Sequence, residues 1–352
     1  MVSLPPGGRT LTYSVVNDHP IKLDYYLPAS RGALPAIIYY HGGGMTAGSR
    51  RSAGLPYWMY GEQTSPFGGH FRTNRIQDHC QEQGYIFISA DYRLCHPSTA
   101  LDQIDDAKAL FAFLAGKSFS NELPDGVSLD TSKIAVTGFS AGAYSARAAC
   151  LYATPKPAVM MSVYGTGGDW LLDHWTSGRP VTSIAKFVAL ESVPEFLADQ
   201  TVISEDNVPV IVEDGKSRSR FALTVRWELD GTFLDGCLGR PGLGRMLDEV
   251  KYEERANVIP EDLRPAFLQL FVDETYPPSV FVHGTADEVV SPEESVHHHE
   301  TLERLGVNSE LFLVQDGGHG LMELGKGRPR PAAGATEAYI MALEFIDEVF
   351  GR

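Results

Sequence analysis

The chain of 352 residues has few cysteines, few basic residues and no long apolar run. Its four cysteines show no Cys-x-x-Cys spacing, so we expect reduced thiols that mostly serve packing. They are Cys80, Cys95, Cys150 and Cys237. No stretch of about 18 consecutive apolar residues occurs, which argues against a membrane-spanning helix.

Basic residues are outnumbered, with 29 Lys and Arg against 45 Asp and Glu and a formal net charge of -16 at pH 7. Nucleic acids and anionic membranes bind basic faces, so this charge argues against both as partners and disfavours a polyanionic substrate. Residues 1–8 contain no basic segment followed by an apolar one. We therefore expect no secretory signal and a cytoplasmic protein.

The sequence does contain the strand and helix alternation of an α/β protein, and a hydrophobic content of 43% suits a sizeable core. Apolar runs predict strands within 10–27, on either side of a turn at 17–20, and at 35–40, 85–90, 134–139, 158–164, 279–284 and 310–314. Helical periodicity predicts helices at 101–116, 141–151, 292–305 and 332–350. This order favours a mainly parallel sheet covered by helices on both faces.

The pattern changes between residues 165 and 276, where Pro and Gly interrupt helix-like pieces at 243–255 and 266–272. No linker composition marks the edges of this stretch, so we predict an enlarged cap inserted into a core made of 1–164 and 277–352. Residues 45–75 are aromatic and lack periodicity, which is typical of a lid loop over a pocket.

A strand-like run from Ile134 leads into the Gly-x-Ser-x-Gly sequence of residues 138–142. A serine hydroxyl is a weak nucleophile unless it is exposed and has a base beside it. A sharp strand-to-helix turn exposes it, and Gly138 and Gly142 are needed there because a Cβ would collide with the neighbouring strand and helix. The pattern predicts a nucleophile elbow at Ser140.

Two later strand-like segments end near Asp287 and His319, so the chain order is that of a Ser-Asp-His triad on an α/β-hydrolase fold. His319 would accept the proton of Ser140, and Asp287 would orient the imidazole. Asp287 as a simple helix cap is the alternative, with Asp316 and Asp273 as substitute acids.

The sequence His41-Gly42-Gly43-Gly44 follows a predicted strand and exposes backbone N–H groups that suit an anion, although a flexible loop is the alternative reading. The N–H groups of Gly43, Gly44 and Ala141 are the natural oxyanion donors.

We expect the other notable histidines to have structural roles. We expect His41 and His283 to brace their loops. We expect 297–299, three consecutive histidines, to form a solvated helical face and no metal site, because neighbours on a helix point in different directions. No metal or cofactor is predicted.

These motifs, together with Asp91-Tyr92-Arg93-Leu94 and the segment 130–142, resemble those of hormone-sensitive-lipase-type α/β-hydrolases over residues 20–165 and 277–350. The resemblance implies a carboxylic ester hydrolase with Ser140, Asp287 and His319 as its triad and Gly43, Gly44 and Ala141 as its oxyanion hole.

The chain also departs from that family. Met45 stands where many members have an aromatic residue, Phe139 replaces a common acidic residue, and the long spacing from Ser140 to Asp287 enlarges the cap.

The sequence thus predicts a serine hydrolase acting on a small, largely apolar ester or lactone. Candidates for the pocket wall are Met45, Trp58, Phe139, Tyr144, Trp170 and Trp175. A thioesterase or an arylformamidase-type amidase would use the same triad, and a non-catalytic small-molecule receptor on this scaffold is the alternative of another class. The sequence leaves open whether the chain forms a homodimer.

Overall fold

The computed structural model describes residues 7–51, 75–179, 185–206, 210–211, 215–323 and 330–352. Most of the predicted lid loop, including Trp58, lies outside the described residues. Within the described part of the chain, none of the helices has the length and apolar character needed to cross a membrane.

The strands are β1 (Arg9–Val16), β2 (His19–Tyr26), β3 (Gly32–Tyr40), β4 (Ile86–Ala90), β5 (Val127–Phe139), β6 (Val159–Val163), β7 (Val210–Ile211), β8 (Ser217–Arg218), β9 (Ser279–Gly284), β10 (Ser309–Val314), β11 (Gly317–Gly318) and β12 (Met322–Glu323). Eight of them form one sheet in the order β1-β2-β4-β3-β5-β6-β9-β10. β2 pairs antiparallel with β1 and β4, and every pair from β4 to β10 is parallel. The prediction of a mainly parallel sheet is confirmed.

The helices are α1 (Arg75–Gln83), α2 (Ala100–Ala115), α3 (Lys117–Ser120), α4 (Gly142–Tyr152), α5 (Asp173–Thr176), α6 (Val193–Ala198), α7 (Phe221–Asp230), α8 (Phe233–Leu238), α9 (Leu243–Asp248), α10 (Tyr252–Val258), α11 (Glu293–Arg304) and α12 (Ala335–Phe350). Short 3₁₀ turns lie at Ala185–Phe187, Leu190–Ser192, Arg264–Ala266 and Leu268–Phe271.

Apolar side chains on the two faces of the sheet build two buried clusters. Along β3, Ile38 and Tyr40 join the cluster that contains α2 and α4, whereas Ile37 and Tyr39 join the cluster that contains α1 and α12. Successive side chains of a strand point to opposite faces, so a strand buried on both faces must be apolar throughout. This explains the continuous apolar runs of the central strands.

The stretch predicted as a cap contributes to the core as well. Trp170, Trp175 and Leu223 belong to the cluster on the α2 and α4 face. The predicted helix at 243–255 is two helices, because the extended backbone of Lys251 (ψ 151°) separates α9 from α10. The segment 266–272 forms 3₁₀ turns instead of an α-helix. The division into core and cap stays a prediction.

Candidate active site

The turn from β5 into α4 holds Ser140 in a left-handed conformation, with φ at 52°. A Cβ on Gly138 would lie 2.4 Å from the Cα of Ala143, and a Cβ on Gly142 would lie 2.2 Å from the carbonyl oxygen of Tyr40. A non-glycine residue in this backbone region costs about 1–3 kcal/mol, which the surrounding structure must supply. Only glycine at both flanking positions lets the turn form, and the turn projects the serine beyond the sheet.

The structure brings Ser140, His319 and Asp287 into hydrogen-bond contact. Nε2 of His319 lies 3.0 Å from Oγ of Ser140, and its Nδ1 lies 2.8 Å from Oδ2 of Asp287. Ser140 lies directly after β5, Asp287 lies three residues after β9, and His319 lies five residues after β10, beyond the short β11. The carboxyl ends of these parallel strands form the edge of an α/β sheet at which ligands bind. The His319 side chain is 18% exposed and the Asp287 side chain is fully buried.

Both carboxylate oxygens of Asp287 have polar partners. Oδ1 accepts the N–H groups of Val289 at 2.9 Å and Val290 at 3.1 Å, and Oδ2 also lies 3.4 Å from Nε2 of His283. Burial alone would raise the pKa of Asp287, but His319 and His283 outweigh it and bring the pKa below its usual range. The carboxylate is therefore ionised at any working pH of the protein.

The glycine turn at residues 42–44 follows β3, and two of its carbonyl groups accept hydrogen bonds from nearby residues. The Gly42 carbonyl accepts Nδ1–H of His41 at 2.7 Å, and the Gly43 carbonyl accepts the N–H of Ala47 at 3.0 Å. In a trans peptide the N–H points opposite to the C=O, so the N–H groups of Gly43 and Gly44 face the other way. Within the described residues, neither of these groups nor the N–H of Ala141 has a hydrogen-bond acceptor.

His41 is the structural support of this turn. Its ring stacks on Tyr92 at a centroid distance of 4.4 Å and an interplanar angle of 13°, and the Tyr92 hydroxyl donates to the His41 carbonyl at 2.6 Å. The pKa of His41 is lowered to about 4, mainly by burial; the Gly42 hydrogen bond opposes this shift and the charge of Arg50 adds to it. The ring is neutral at pH 7.

We expect acid to destabilise the protein partly through His41. The unfolded ring binds a proton near pH 6.5 whereas the folded ring binds it near pH 4, so the stabilisation is complete above pH 6.5 and is lost as the pH falls towards 4. The contribution is about 3 kcal/mol. Denaturant unfolding of wild type and His41→Asn at pH 7, 5 and 4 measures it, and the variant should show the shallower pH dependence. Equal slopes would assign the acid sensitivity to other groups.

The described candidates for a pocket wall all lie inside the core. Each of these residues exposes 2% or less of its surface: Met45, Phe139, Tyr144, Trp170 and Trp175. Phe139 packs against Tyr39 and Tyr164 in the cluster on the α12 face, whereas the other four belong to the opposite cluster. Their contact with a substrate stays a prediction.

The reading of 297–299 as a solvated helical face is wrong for His298. That ring is buried, and its Nδ1 accepts a hydrogen bond from Nε of the buried Arg147 at 3.1 Å. His297 is partly exposed and its Nδ1 contacts Asp169 at 2.7 Å. Helix α11 therefore turns its middle histidine into the core, where α4 provides a polar partner.

Two residues near the site carried no recognisable signal in the sequence. The Thr224 hydroxyl on α7 donates to the Gly44 carbonyl at 2.6 Å, and Nη1 of Arg179 donates to the Val289 carbonyl at 3.1 Å. Both lie in the stretch without a clear period, where a threonine or an arginine is unremarkable.

Two family models match parts of the chain. The BD-FAE model matches residues 23–161, and the prolyl oligopeptidase family model matches residues 245–352. Residues 162–244, most of the predicted cap, lie outside both matches.

Similar proteins fall into two groups. The non-reducing polyketide synthase Preu3 of Preussia isomera is 23% identical over 349 residues, which cover 89% of this chain but only 12% of the synthase. Carboxylesterase NlhH of Mycobacterium tuberculosis (strain ATCC 25618 / H37Rv) is 32% identical over 136 residues, covering 38% of this chain and 34% of the esterase. The chain thus spans a small part of the curated relatives it matches.

Solved structures match over nearly the whole chain. Thermogutta terrifontis esterase 2 phosphorylated by paraoxon superposes with a TM-score of 0.56 at 17% identity, covering 98% of this chain and 95% of the esterase. The chain has the α/β-hydrolase fold. Structures of the same esterase with propionate bound and with butyrate bound also match, with TM-scores of 0.53 and 0.52. In α/β-hydrolase folds the nucleophile elbow is a sharp strand-to-helix turn at the top of the sheet.

Proposed function

We propose that the protein is a serine hydrolase that cleaves a carboxylic ester or lactone of a small, largely apolar substrate through an acyl-enzyme on Ser140. The observation that carries the proposal is the chain of hydrogen bonds from Ser140 through His319 to Asp287. A hydroxyl, a base and an orienting carboxylate in this order can activate an oxygen nucleophile at neutral pH.

In the first half-reaction, Oγ of Ser140 attacks the substrate carbonyl carbon and its proton moves to Nε2 of His319. The carbonyl oxygen gains the negative charge and accepts hydrogen bonds from the N–H groups of Gly43, Gly44 and Ala141. When the bond to the leaving oxygen breaks, His319 returns the proton to that oxygen. The alcohol of an ester departs, whereas the alcohol group of a lactone stays attached to the acyl chain; in both cases the acyl group remains on Ser140.

In the second half-reaction, His319 takes a proton from a water molecule as the water oxygen attacks the acyl carbon. The tetrahedral intermediate uses the same three N–H groups and collapses as His319 gives the proton back to Oγ of Ser140. The acid leaves and the resting state returns. Asp287 stays ionised throughout and stabilises the imidazolium of both steps.

The similarity to carboxylesterase NlhH and to the Thermogutta esterase supports an ester substrate. The propionate and butyrate bound to that esterase support a short acyl group. Membership of the hormone-sensitive-lipase type rests on the motifs at residues 41–44 and 138–142 and is part of the proposal.

Thioester cleavage is the second candidate. The matches to non-reducing polyketide synthases cover 89% of this chain for Preu3, whereas the match to carboxylesterase NlhH covers 38%. A polyketide synthase has to release an acyl product, and acyl transfer from sulfur would use Ser140 and His319 in the same roles. The thiolate is the better leaving group, so the leaving-group proton matters less.

A substrate panel combined with covalent labelling tests the proposal. The panel contains p-nitrophenyl acetate and butyrate, the N-acetylcysteamine thioester of butyric acid, δ-valerolactone and formanilide. We expect the esters to turn over, and a fluorophosphonate to stop turnover while adding one phosphonyl group to the peptide that contains Ser140. Protein unfolded in urea is the labelling control and should stay unmodified.

Each other result has a defined meaning. A kcat/KM at least ten times higher for the thioester than for the matching ester favours the second candidate. Selective cleavage of formanilide favours an amidase. Absence of both turnover and labelling contradicts the proposal and favours a receptor.

A further inference from the structure

Helix α7 lies directly against the glycine turn. The hydroxyl of Thr224 is buried and donates to the Gly44 carbonyl at 2.6 Å. A Cβ on Gly44 would lie 2.5 Å from that hydroxyl, so the absence of a side chain at this position permits the contact. Since the Thr224 proton is used, the 2.7 Å contact with Thr46 requires the Thr46 hydroxyl to donate to Thr224.

One turn further along the same helix, Glu228 binds Arg179. Nη2 of Arg179 lies 3.0 Å from Oε1 of Glu228, and the backbone N–H of Arg179 donates to the Glu228 carbonyl at 3.0 Å. Both side chains are largely buried, with 12% and 10% exposure. The cost of removing both charges from water offsets part of their attraction, and the backbone hydrogen bond beside the ion pair adds a second link between the two residues.

Arg179 also binds the loop that follows Asp287. Its Nη1 donates to the carbonyls of Glu288 and Val289, each at 3.1 Å. The N–H of Val289 donates to Oδ1 of Asp287 at 2.9 Å. Val289 thus binds Arg179 through its carbonyl and is one of the two residues whose N–H groups orient the Asp287 carboxylate.

We propose that α7 is a bracket that positions the two halves of the active site: Thr224 fixes the glycine turn, and Glu228, through Arg179, fixes the loop of Asp287. The inference rests on the proposed function. Thr224 and Glu228 are four residues apart, so they lie on one face of the helix and a single docking of α7 places both.

The physical need for such a bracket lies in the glycines. Gly43 and Gly44 have φ values of 123° and 62°, and a glycine turn has many competing conformations unless neighbours restrain it. Oxyanion donors lower the barrier only if they point at the developing charge beforehand. By binding the Gly44 carbonyl, α7 restrains the turn and leaves the N–H groups of Gly43 and Gly44 free to bind the oxyanion.

The first test compares Thr224→Val, which keeps the shape and removes the hydroxyl, with Thr224→Ser, which keeps the hydroxyl. We expect the valine variant to lose about tenfold in kcat for p-nitrophenyl butyrate, the value of one net hydrogen bond, with KM within twofold. Its inhibition constant for a trifluoromethyl ketone, whose hemiketal adduct with Ser140 carries an oxyanion, should rise about tenfold too. The serine variant should stay within about threefold of wild type.

The proposal is overturned if Thr224→Val keeps its kcat, if the loss is confined to KM, or if the serine variant falls as far as the valine variant. Should the valine variant not be recovered folded, Thr224→Ala gives the same readout, with the melting temperature as the check on folding. Inactive wild-type protein would instead refute the proposed function, so the two failures are distinguishable.

A double-mutant cycle that combines Thr224→Val with Glu228→Gln tests whether the two contacts of α7 depend on each other. If α7 is a single bracket, loosening it at one end already disorders the other, so the combined loss in kcat should be smaller than the product of the single losses. Losses that multiply would mean two independent contacts and would overturn the bracket.

Discussion

Alanine at position 140 should lower kcat for p-nitrophenyl butyrate by about 10⁶, and alanine at position 319 should lower it to nearly the same level. The two side chains act in one event, since Oγ of Ser140 attacks only while Nε2 of His319, 3.0 Å away, removes its proton. The double variant should therefore be no slower than either single variant. The remaining rate comes from the three backbone N–H donors and from substrate binding, which neither substitution touches.

The matched control is Ser145→Ala in α4. The Ser145 hydroxyl is buried and has no hydrogen-bond partner among the described residues, so its loss should leave kcat within about twofold and the fold intact. Stopped assays with active-site titration give the rates. Two results would contradict the triad. One is that the losses of about 10⁶ for Ser140→Ala and His319→Ala multiply in the double variant, and the other is that Ser140→Ala keeps more than about 1% of the activity.

The elbow could be predicted from the sequence because its requirements are local. Gly138 and Gly142 are needed within two residues of Ser140, and both clashes that they avoid involve backbone atoms. The apolar strand before the elbow and the alanine-rich helix after it lie in one continuous stretch. The positions of Asp287 and His319 follow from a second general rule, since residues after parallel strands meet at one edge of the sheet.

Features that depend on distant partners gave no such signal. Thr224 meets Gly44 across 180 residues, and the two residues carry no pattern that relates them. His298 is buried and accepts a hydrogen bond from Arg147, 151 residues away, whereas the sequence shows only three adjacent histidines. Helix-like periodicity at 243–255 likewise did not reveal the break at Lys251, which arises from an extended backbone and not from a proline or glycine at that position.

Asparagine at position 287 should lower kcat by about 10⁴ while the fold is kept. Oδ1 of Asp287 accepts two backbone N–H groups, so in the variant the amide oxygen must occupy that place and the NH₂ group must face His319. Nδ1 of His319 then becomes an acceptor and its proton moves to Nε2. A protonated Nε2 cannot accept the proton of Ser140, so the base is lost through its tautomer although every heavy atom stays near its position.

Asp316→Asn is the control for this substitution and tests the substitute acid at the same time. Asp316 is exposed, sits three residues before His319 and has a left-handed backbone (φ 57°) that asparagine also adopts readily. Its kcat should stay within about twofold of wild type. If Asp316→Asn lost activity and Asp287→Asn kept it, the acid would be Asp316 despite the 2.8 Å contact of His319 with Asp287. The pH profile adds a second check, because only the Asp287 variant should recover rate as hydroxide replaces the missing base.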